Sequence, residues 1–220
     1  MSSDSPKRLM FSCFAELARV LGNGHRLELI ELLAQGAQSV EVLSRRTGLS
    51  FANASQHLQQ LRKAGLVDGR RSGKNIIYRL ADGPIVETMT ALRKLAEHNV
   101  AAVQEVVTTY FDQLDSLDPV GPDELLDKMK SGLVTLLDVR PADEFRAGHI
   151  PGALNIELEK LESRVAELPM DRDIVAYCRG AYCVLSFEAV KLLRHRGFRV
   201  NRYSEGLPEW RASGRAVATA

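Results

Sequence analysis

The chain has 220 residues, enough for one large domain or two small ones, and its 45% hydrophobic and 26% charged content excludes a wholly disordered protein. Its 29 basic and 28 acidic side chains give a net charge of +1, so the total charge indicates no particular partner. The apolar runs are shorter than the roughly 18 residues of a membrane span, the N-terminus has no signal-peptide core, and three cysteines make no disulfide framework, so a cytoplasmic protein is expected.

The N-terminal part of the chain is predicted to form four helices followed by a β-hairpin. Apolar residues recur at helical spacing, and polar caps and glycines interrupt them. Two short β-like runs follow, at 66–67 and 76–78, around a glycine-containing turn. In chain order, the first helix starts at Asp4-Ser5-Pro6 and is broken by Gly22 and Gly24, the second carries the apolar residues of 27–33 and stops near Gly36, and the last two run from Ser39 to Gly48 and from Ser50 to Gly65.

The third and fourth predicted helices have the arrangement of a helix-turn-helix. A short helix, a tight turn at Gly48 and a second helix follow one another, which is typical of this motif. Amide side chains on the outer face of such a helix can pair with adenine edges in a DNA major groove. His57 is compatible with packing, with a phosphate contact or with base contact. The polar face of the fourth helix consists of Asn53, Gln56, Gln60 and Lys63.

Positive charge is concentrated around the predicted hairpin. Between residues 62 and 79, Asp68 is the single acid among six basic side chains. A bare charge run is often only a solvated face, but its position after a helix-turn-helix favours contact with DNA phosphates. The basic residues are Arg62, Lys63, Arg70, Arg71, Lys74 and Arg79, of which Arg70, Arg71 and Lys74 are expected to lie over phosphates.

This region resembles the ArsR family of winged helix-turn-helix repressors over about residues 8–80. The resemblance rests on LGNGHRLELIELLAQG, SVEVLSRRTGLS, ASQHLQQLRKAGLV and the wing DGRRSGKNIIYRL. It implies a homodimer that binds a double-stranded DNA operator and leaves it on receiving a chemical signal. Many members sense metals through a cysteine pair in the third helix. That helix has no cysteine here, so no metal or other cofactor is expected.

A long helical pattern follows, from Pro84 to about Leu114. About 30 residues of helix would span about 45 Å, and its apolar stripe needs a partner. A second copy of the chain is the natural partner for this stripe, so a homodimer through this helix and the first helix is predicted. Cys13, in the first helix, is expected to be buried. The predicted domains are therefore a DNA-binding and dimerisation domain at 1–115, a linker at 116–121 and a second domain at 122–220.

From Pro122 onward the chain alternates between strand and helix patterns. Such alternation predicts an α/β domain with a mostly parallel sheet covered by helices on both faces. The predicted strands are 134–139, 153–156, 173–177 and 198–203, and the predicted helices are 122–131, 143–147, 158–168, 183–196 and 207–213.

Cys178 stands directly after an apolar strand and shortly before a helix. Sites of open α/β sheets lie beyond the carboxyl ends of strands, and backbone N–H groups near a helix start stabilise a thiolate. Arg179 adds positive charge, and Gly180 permits a tight curl. The sequence therefore predicts that Cys178 is a nucleophile, with a buried structural cysteine as the alternative.

The loop that follows favours sulfur chemistry over phosphate chemistry. A cysteine phosphatase needs an arginine six residues after its nucleophile, where this chain has Val184. The loop from Cys178 to Cys183 is also short for a phosphate. A sulfane sulfur, held on Cys178 as a persulfide, is smaller and fits better.

The second half resembles the rhodanese domain, a sulfurtransferase module, over about residues 119–216. The resemblance rests on LLDVRPADEFRAGHIPGALNI, VAYCRGAYC and GLPEWRASG. It implies that Cys178 takes sulfur from a donor such as thiosulfate or polysulfide and passes it to a thiol acceptor. The catalytic residues would be Cys178 and Arg179, the substrate loop Gly180, Ala181, Tyr182 and Cys183, and the supporting residues Asp138, Arg140, Glu144 and His149, with Arg140 also a weaker candidate for the substrate side.

Two functions fit these two modules. One is a transcriptional regulator that responds to sulfane sulfur or redox state through Cys178. The other is a sulfurtransferase in which the winged helix serves for dimerisation or placement. Cys183 stands where the rhodanese pattern often has Ser, Thr or Arg. It is either a resolving thiol that forms a disulfide with Cys178 or a packing residue at a helix start.

Overall fold

The computed structural model describes residues 5–114 and 119–220, which form two compact units, Met1–Ile85 and Val86–Ala220. Asp4 of the predicted helix start and residues 116–118 of the predicted linker lie outside the described residues. The packing of residues 86–114 within the second unit is a finding that the sequence did not indicate, and the domain boundary at 116–121 stays a prediction. Among the helices of the described parts, none is both long and apolar enough to cross a membrane.

Four helices in the first unit follow the caps in the sequence. Ser39 and Ser50 accept hydrogen bonds from backbone N–H groups three residues later, which is the usual way a serine begins a helix. Gly48 has φ +69°, a left-handed conformation that glycine adopts without strain, and it ends the third helix. The helices are α1 (Pro6–Leu21), α2 (Gly24–Ala34), α3 (Val40–Thr47) and α4 (Phe51–Lys63).

A small antiparallel sheet completes the first unit. Its strands are β1 (Gln38–Ser39), β2 (Val67–Ser72) and β3 (Asn75–Leu80), in the order β1-β3-β2. The predicted hairpin is β2–β3, longer than its apolar runs indicated because backbone pairing continues through polar residues. β1 was not predicted, since two residues are too few to show a strand pattern. The buried stripe of α4, which includes Leu58 and Leu61, packs into this unit's core.

Helix α1 differs from the other three because no residue along Pro6–Leu21 is buried. Cys13 is exposed, so its expected burial is wrong for the single chain. The cause is that the apolar face of α1 remains uncovered. Its large side chains are between 41% and 62% exposed: Leu9, Met10, Phe11, Phe14 and Leu17.

The predicted long helix to Leu114 is wrong as a single element. It consists of α5 (Ile85–Asn99), α6 (Ala101–Val106), a π-helical turn (Val107–Phe111) and α7 (Asp112–Leu114). Val100 is extended, with φ −111° and ψ 106°, and separates α5 from α6. The Asn99 side chain donates to the Leu95 carbonyl and the Gln104 side chain to the His98 carbonyl, so side chains satisfy groups that end the helix.

The second unit contains a four-stranded parallel sheet in the order β5-β4-β6-β7. Leu137 and Ala176 face one apolar cluster, and Leu136 and Val175 face another, so helices cover both sides of the sheet as predicted. The elements are α8 (Pro122–Lys130), β4 (Val134–Asp138), α9 (Ala142–Ala147), β5 (Leu154–Asn155), α10 (Leu158–Arg164), a 3-10 turn (Val165–Glu167), β6 (Asp173–Cys178), α11 (Val184–His195), β7 (Val200–Gly206) and α12 (Leu207–Ala212).

Candidate functional site

Helix α4 exposes three of the four predicted polar residues. Asn53, Gln56 and Lys63 are exposed on the face opposite the buried stripe. Gln60 is only half-exposed, and its side-chain oxygen accepts a hydrogen bond from Arg26 Nη1 at 2.7 Å. The structure thus leaves Asn53 and Gln56 as the amides that this face offers to a partner.

His57 lies partly buried between α4 and α2. Its ring centroid is 5.8 Å from that of His25. Burial, together with the positive charge of Arg26 and the presence of His25, lowers the pKa of His57 below its ordinary value. Its Nδ1 is buried without a hydrogen-bond partner among residues 5–114 and 119–220. Of the three interpretations left open by the sequence, this environment favours packing.

The wing presents its basic residues unequally. Arg70, Arg71 and Lys74 are exposed on β2 and the turn that follows it. Arg79 on β3 forms an ion pair of 2.6 Å with Asp68 and another of 3.4 Å with Asp82. Two carboxylates therefore neutralise Arg79, whereas the three residues nearer the hairpin tip remain available for phosphates.

The loop between β6 and α11 brings two cysteines together. Cys178 ends β6, Cys183 directly precedes α11, and the two side chains form a disulfide with a Cα–Cα distance of 6.1 Å. That distance lies within the usual range of about 4.4–6.8 Å. Cys178 is 1% exposed and Cys183 9% exposed, so the disulfide is buried. Of the two alternatives that the sequence left open for Cys183, pairing with Cys178 is the one present in the structure.

Arg179 forms an ion pair with a buried carboxylate. Its Nε and Nη2 atoms lie 3.1 Å and 2.7 Å from the Glu144 carboxylate, and Glu144 is buried in α9. The carboxylate neutralises the charge that was expected to stabilise a Cys178 thiolate. The pair instead holds the first residue of the loop against α9.

The supporting residues form a buried polar layer beneath the loop. Asp138 and Arg140 are both 0% exposed and pair at 2.6 Å, and Arg140 also donates to the Gly148 carbonyl at 2.8 Å. This burial favours the structural role of Arg140 over the substrate-side one. His149 stacks on Phe145 with a centroid distance of 3.7 Å, which is compatible with the structural role expected of it.

Sequence reasoning missed two residues that shape the loop. Arg202 on β7 donates to the Ala181 carbonyl at 3.1 Å, and its guanidinium lies 4.1 Å from the Phe187 ring centroid. Gly206 packs so closely that a Cβ there would lie 2.4 Å from the Arg179 carbonyl carbon and oxygen. A signal for Gly206 existed, since it opens the segment GLPEWRASG, but nothing in the sequence located its neighbour.

Tyr182 connects the loop to the helices at 86–114. Its ring lies 4.8 Å from the ring of Phe111. Burial and the Glu97 carboxylate raise the pKa of Tyr182 to about 12, so the hydroxyl keeps its proton. The sequence did not indicate the contact with Phe111, because that residue lies far from Tyr182 in the chain.

Comparison with known proteins agrees with both halves. Residues 23–68 match the family described as "Bacterial regulatory protein, arsR family", and residues 121–213 match "Rhodanese-like domain". The "Sulfurtransferase" of Allochromatium vinosum is 35% identical over 82 residues, which cover 37% of this chain and 75% of that protein. A solution NMR structure titled as a homodimeric winged helix-turn-helix DNA-binding domain from Mycobacterium bovis is 32% identical, covers 46% of this chain and 95% of that one, and has a TM-score of 0.41.

One relative is similar along nearly the whole chain. "HTH-type transcriptional regulator Rv0324" of Mycobacterium tuberculosis is 42% identical over 212 residues, which are 96% of this chain and 92% of that protein. The similarity therefore includes both modules in the same order. The chain belongs to the ArsR family of HTH-type, DNA-binding transcriptional regulators and carries a C-terminal rhodanese-like domain.

Proposed function

We propose that this DNA-binding regulator responds to sulfane sulfur, and that Cys178 and Cys183 together form its sensor. The observation that carries the proposal is their position at the two ends of one buried loop, close enough to be bonded. A thiol pair with this geometry can exist reduced or as a disulfide, which are two states that a regulator can distinguish.

The proposed chemistry has two steps. The Cys178 thiolate attacks the sulfane sulfur of a polysulfide or thiosulfate, which leaves a persulfide on Cys178 and releases the shortened polysulfide or sulfite. The Cys183 thiolate then attacks the Cys178 Sγ, the Cys178–Cys183 bond forms, and hydrosulfide leaves. The sulfane sulfur is reduced to hydrosulfide while the two thiols are oxidised to the disulfide, and a dithiol reductant restores the thiols.

The surroundings of Cys178 favour sensing over repeated turnover. A transferase must deliver its sulfur to an external acceptor, whereas here a second thiol lies within reach of the persulfide. Cys178 is also buried, and the neighbouring Arg179 is bonded to Glu144 rather than directed at a substrate. These features support a sensor that takes up one sulfur atom, forms the disulfide and keeps it until a reductant restores the thiols.

The DNA-binding form is proposed to be a homodimer that uses the exposed residues of α4 and the wing. Asn53 and Gln56 would contact base edges, and Arg70, Arg71 and Lys74 would contact phosphates. The uncovered apolar face of α1 supports pairing with a second copy, since monomeric proteins rarely expose such a stripe. In the second unit, α5 separately exposes two apolar side chains, Leu92 and Leu95.

The test is a DNA titration of the protein in its defined sulfur states. DNA fragments are first selected from a random pool by the reduced protein, and binding is then compared for the reduced and polysulfide-treated forms at one salt concentration. The proposal expects weaker binding after treatment. Equal affinity in both states, with sustained sulfur transfer from thiosulfate, would instead support an enzyme placed by its winged helix.

Mass spectrometry of the treated protein tests the second step. The wild type is expected to gain the Cys178–Cys183 bond, while Cys183→Ala is expected to hold a persulfide for longer. If both proteins carry the same stable persulfide, Cys183 is a packing residue and the resolving step is wrong.

A further inference from the structure

Helix α4 begins with a large apolar side chain that is exposed. Phe51 is the first residue of the helix, directly after its cap Ser50, and is 55% exposed. Between residues 18 and 75, all of which the structure describes, it is the one large apolar side chain that is exposed. Single apolar side chains are ordinary on protein surfaces, so the significance of Phe51 depends on where it lies.

Phe51 lies at the end of α4 that is expected to enter DNA. Side chains of an α-helix lean toward its N-terminus, so a residue of the first turn extends past the start of the helix. In helix-turn-helix proteins, the N-terminal residues of the second helix are the ones that contact base edges in the major groove. An apolar ring is therefore placed where the first contacts with bases are made.

The other end of the polar face of α4 is held inside the protein. The side-chain oxygen of Gln60 accepts a hydrogen bond of 2.7 Å from Arg26 Nη1. The same guanidinium donates to the carbonyls of Arg19 and Val20 near the end of α1. Gln60 cannot turn toward a base without losing a hydrogen bond to a charged donor, which is among the stronger kinds in proteins. The first half of α4 thus supplies the side chains that can contact bases.

The charge around Phe51 selects an anionic partner. Helix α4 contains two basic side chains and no acidic one. The adjoining wing adds three exposed cations, Arg70, Arg71 and Lys74. An apolar surface of another protein gains nothing from so much positive charge, whereas DNA phosphates are attracted by it. The group that Phe51 contacts is therefore expected to be an apolar group carried by DNA.

DNA presents one such group in its major groove, the C5-methyl of thymine. The other groups on the base edges there are hydrogen-bond donors and acceptors, and contact between an apolar side chain and the thymine methyl is an established mode of recognition. Removing one methyl group from water contributes about a fourfold change in a dissociation constant.

We propose that Phe51 makes α4 select thymine, through contact of its ring with the C5-methyl group in the major groove. This inference rests on the proposed base contacts of α4 and is independent of the sulfur chemistry. An α-helix rises 1.5 Å per residue, so Phe51 and Gln56 are separated by about 7.5 Å along α4, or about two base-pair steps of 3.4 Å. The selected thymine is expected within about three base pairs of the base that Gln56 contacts.

The experiment changes the ring and the methyl group separately. Reduced wild type, Phe51→Ala and Gln56→Ala each select fragments from a random DNA pool, which identifies the thymine that Phe51→Ala no longer prefers. Deoxyuridine then replaces that thymine, which removes the methyl group and keeps the base pair. Dissociation constants of wild type and Phe51→Ala for both DNAs, at one salt concentration, form a double-mutant cycle. Leu133→Ala, which truncates an exposed apolar side chain of the second unit, is the matched control.

The wild type and Leu133→Ala are expected to bind about fourfold more weakly for each thymine replaced. Phe51→Ala is expected to bind both DNAs equally, at the weaker level. Its affinity for non-specific DNA and its thermal unfolding midpoint should equal those of the wild type, because the side chain is exposed and uncharged. The deoxyuridine measurement on the wild type requires no variant, so it tests the methyl contact without any effect on folding.

This inference and the proposed base contacts of α4 fail in different ways. An equal loss of affinity on deoxyuridine DNA in wild type and Phe51→Ala, or no loss in either, would overturn the methyl contact. So would a changed preference in Phe51→Ala at a base other than thymine. If Gln56→Ala alone loses a preference, the role of Phe51 is wrong while α4 still contacts bases. If neither variant changes the selected sequence, the proposed base contacts of α4 are wrong as well.

Discussion

Helix α4 with its wing and the loop 178–183 hold their polar side chains in opposite ways. Asn53, Gln56 and Arg70 are exposed, and their partner in the proposed function is DNA, outside the chain. In the loop, Arg179 is bonded to Glu144, and the carbonyl of Ala181 accepts a hydrogen bond from the distant Arg202.

This difference shows what fixes the side-chain geometry of each region. A DNA-binding surface is completed by its partner, so its residues only need a rigid helix beneath them. A buried sulfur loop is completed by the protein itself, so its geometry depends on contacts from many elements. Substitutions in the first region should change binding and leave folding intact, whereas substitutions around the second should change both chemistry and stability.

The largest effect is expected for Cys178→Ser, which removes the proposed nucleophile. Sulfur loading from thiosulfate or polysulfide should be abolished, while DNA binding by the reduced protein should stay at the wild-type level. Cys13→Ser is the matched control, because Cys13 is exposed on α1 and far along the chain from the loop. Loading near the wild-type rate in Cys178→Ser, measured by mass spectrometry, would place the nucleophile elsewhere.

A second large effect concerns the uncovered face of α1. Phe14→Asp places a charge where a second copy is proposed to pack. The dimer dissociation constant should therefore rise by at least about 30-fold. Leu133→Asp serves as the control, since Leu133 is 69% exposed outside the proposed dimer surface. Sedimentation at micromolar concentration measures both, and a monomeric wild type would refute the dimer.

The wing should contribute affinity without selectivity. Arg70→Ala combined with Lys74→Ala should weaken binding on all DNA sequences and reduce the salt slope by about 2. Arg79→Ala should change the slope far less, because Asp68 and Asp82 already neutralise Arg79. Gln56→Ala should instead reduce discrimination between sequences. An unchanged slope in the double variant would mean that the wing does not lie on phosphates.

A moderate loss of stability is expected for Gly206→Ala. The added methyl would overlap the Arg179 backbone at 2.4 Å, and backbone yields less readily than a flexible side chain, so a loss of about 1–3 kcal/mol is expected. At Gly180, in contrast, a Cβ meets only Glu209 Oε1 at 3.8 Å, which is ordinary contact. Thermal unfolding of Gly206→Ala and Gly180→Ala tests this. Equal unfolding midpoints would show that Gly206 is not in close contact with the Arg179 backbone in solution.

The smallest effect concerns His57. Its pKa is lowered by burial, by Arg26 and by His25, so the folded protein holds fewer protons at this site than the unfolded chain. Stability from the neutral ring is present above the ordinary pKa of 6.5 and decreases as the pH falls toward the lowered folded-state value. The free energy of unfolding, measured with urea between pH 5 and 7, should change less steeply with pH in His57→Gln than in the wild type. His98→Gln, at an exposed histidine, is the control. An identical slope would mean that the site is not desolvated.

Much of the fold was predictable because its signals are local. Ser39, Gly48 and Ser50 delimit α3 and α4 through contacts within a few residues, and the order of strands and helices after Pro122 follows from hydrophobic patterning. The break at Val100 was missed, since it depends on side chains of Asn99 and Gln104 bonding to carbonyls, a choice that apolar spacing does not reveal.

The candidate site was likewise predictable only in its local features. The positions of Cys178 and Cys183 at the ends of a strand–loop–helix unit were readable from the chain, and so was the possibility that they pair. The partners of that loop were not, because Phe111, Glu144, Arg202 and Gly206 lie between 24 and 67 residues from Cys178. No periodicity indicates which distant side chain will meet a given carbonyl or carboxylate.

The sequence by itself determined the two families of module, the helix-turn-helix and wing, and the location of the sulfur loop, since each depends on residues close together in the chain. Only the tertiary structure decided that Arg179 bonds to Glu144, that Arg140 is buried against Asp138, and that Tyr182 packs on Phe111. The physical reason is that the partners of a buried polar group are set by how whole elements pack, which brings together residues that no local pattern connects.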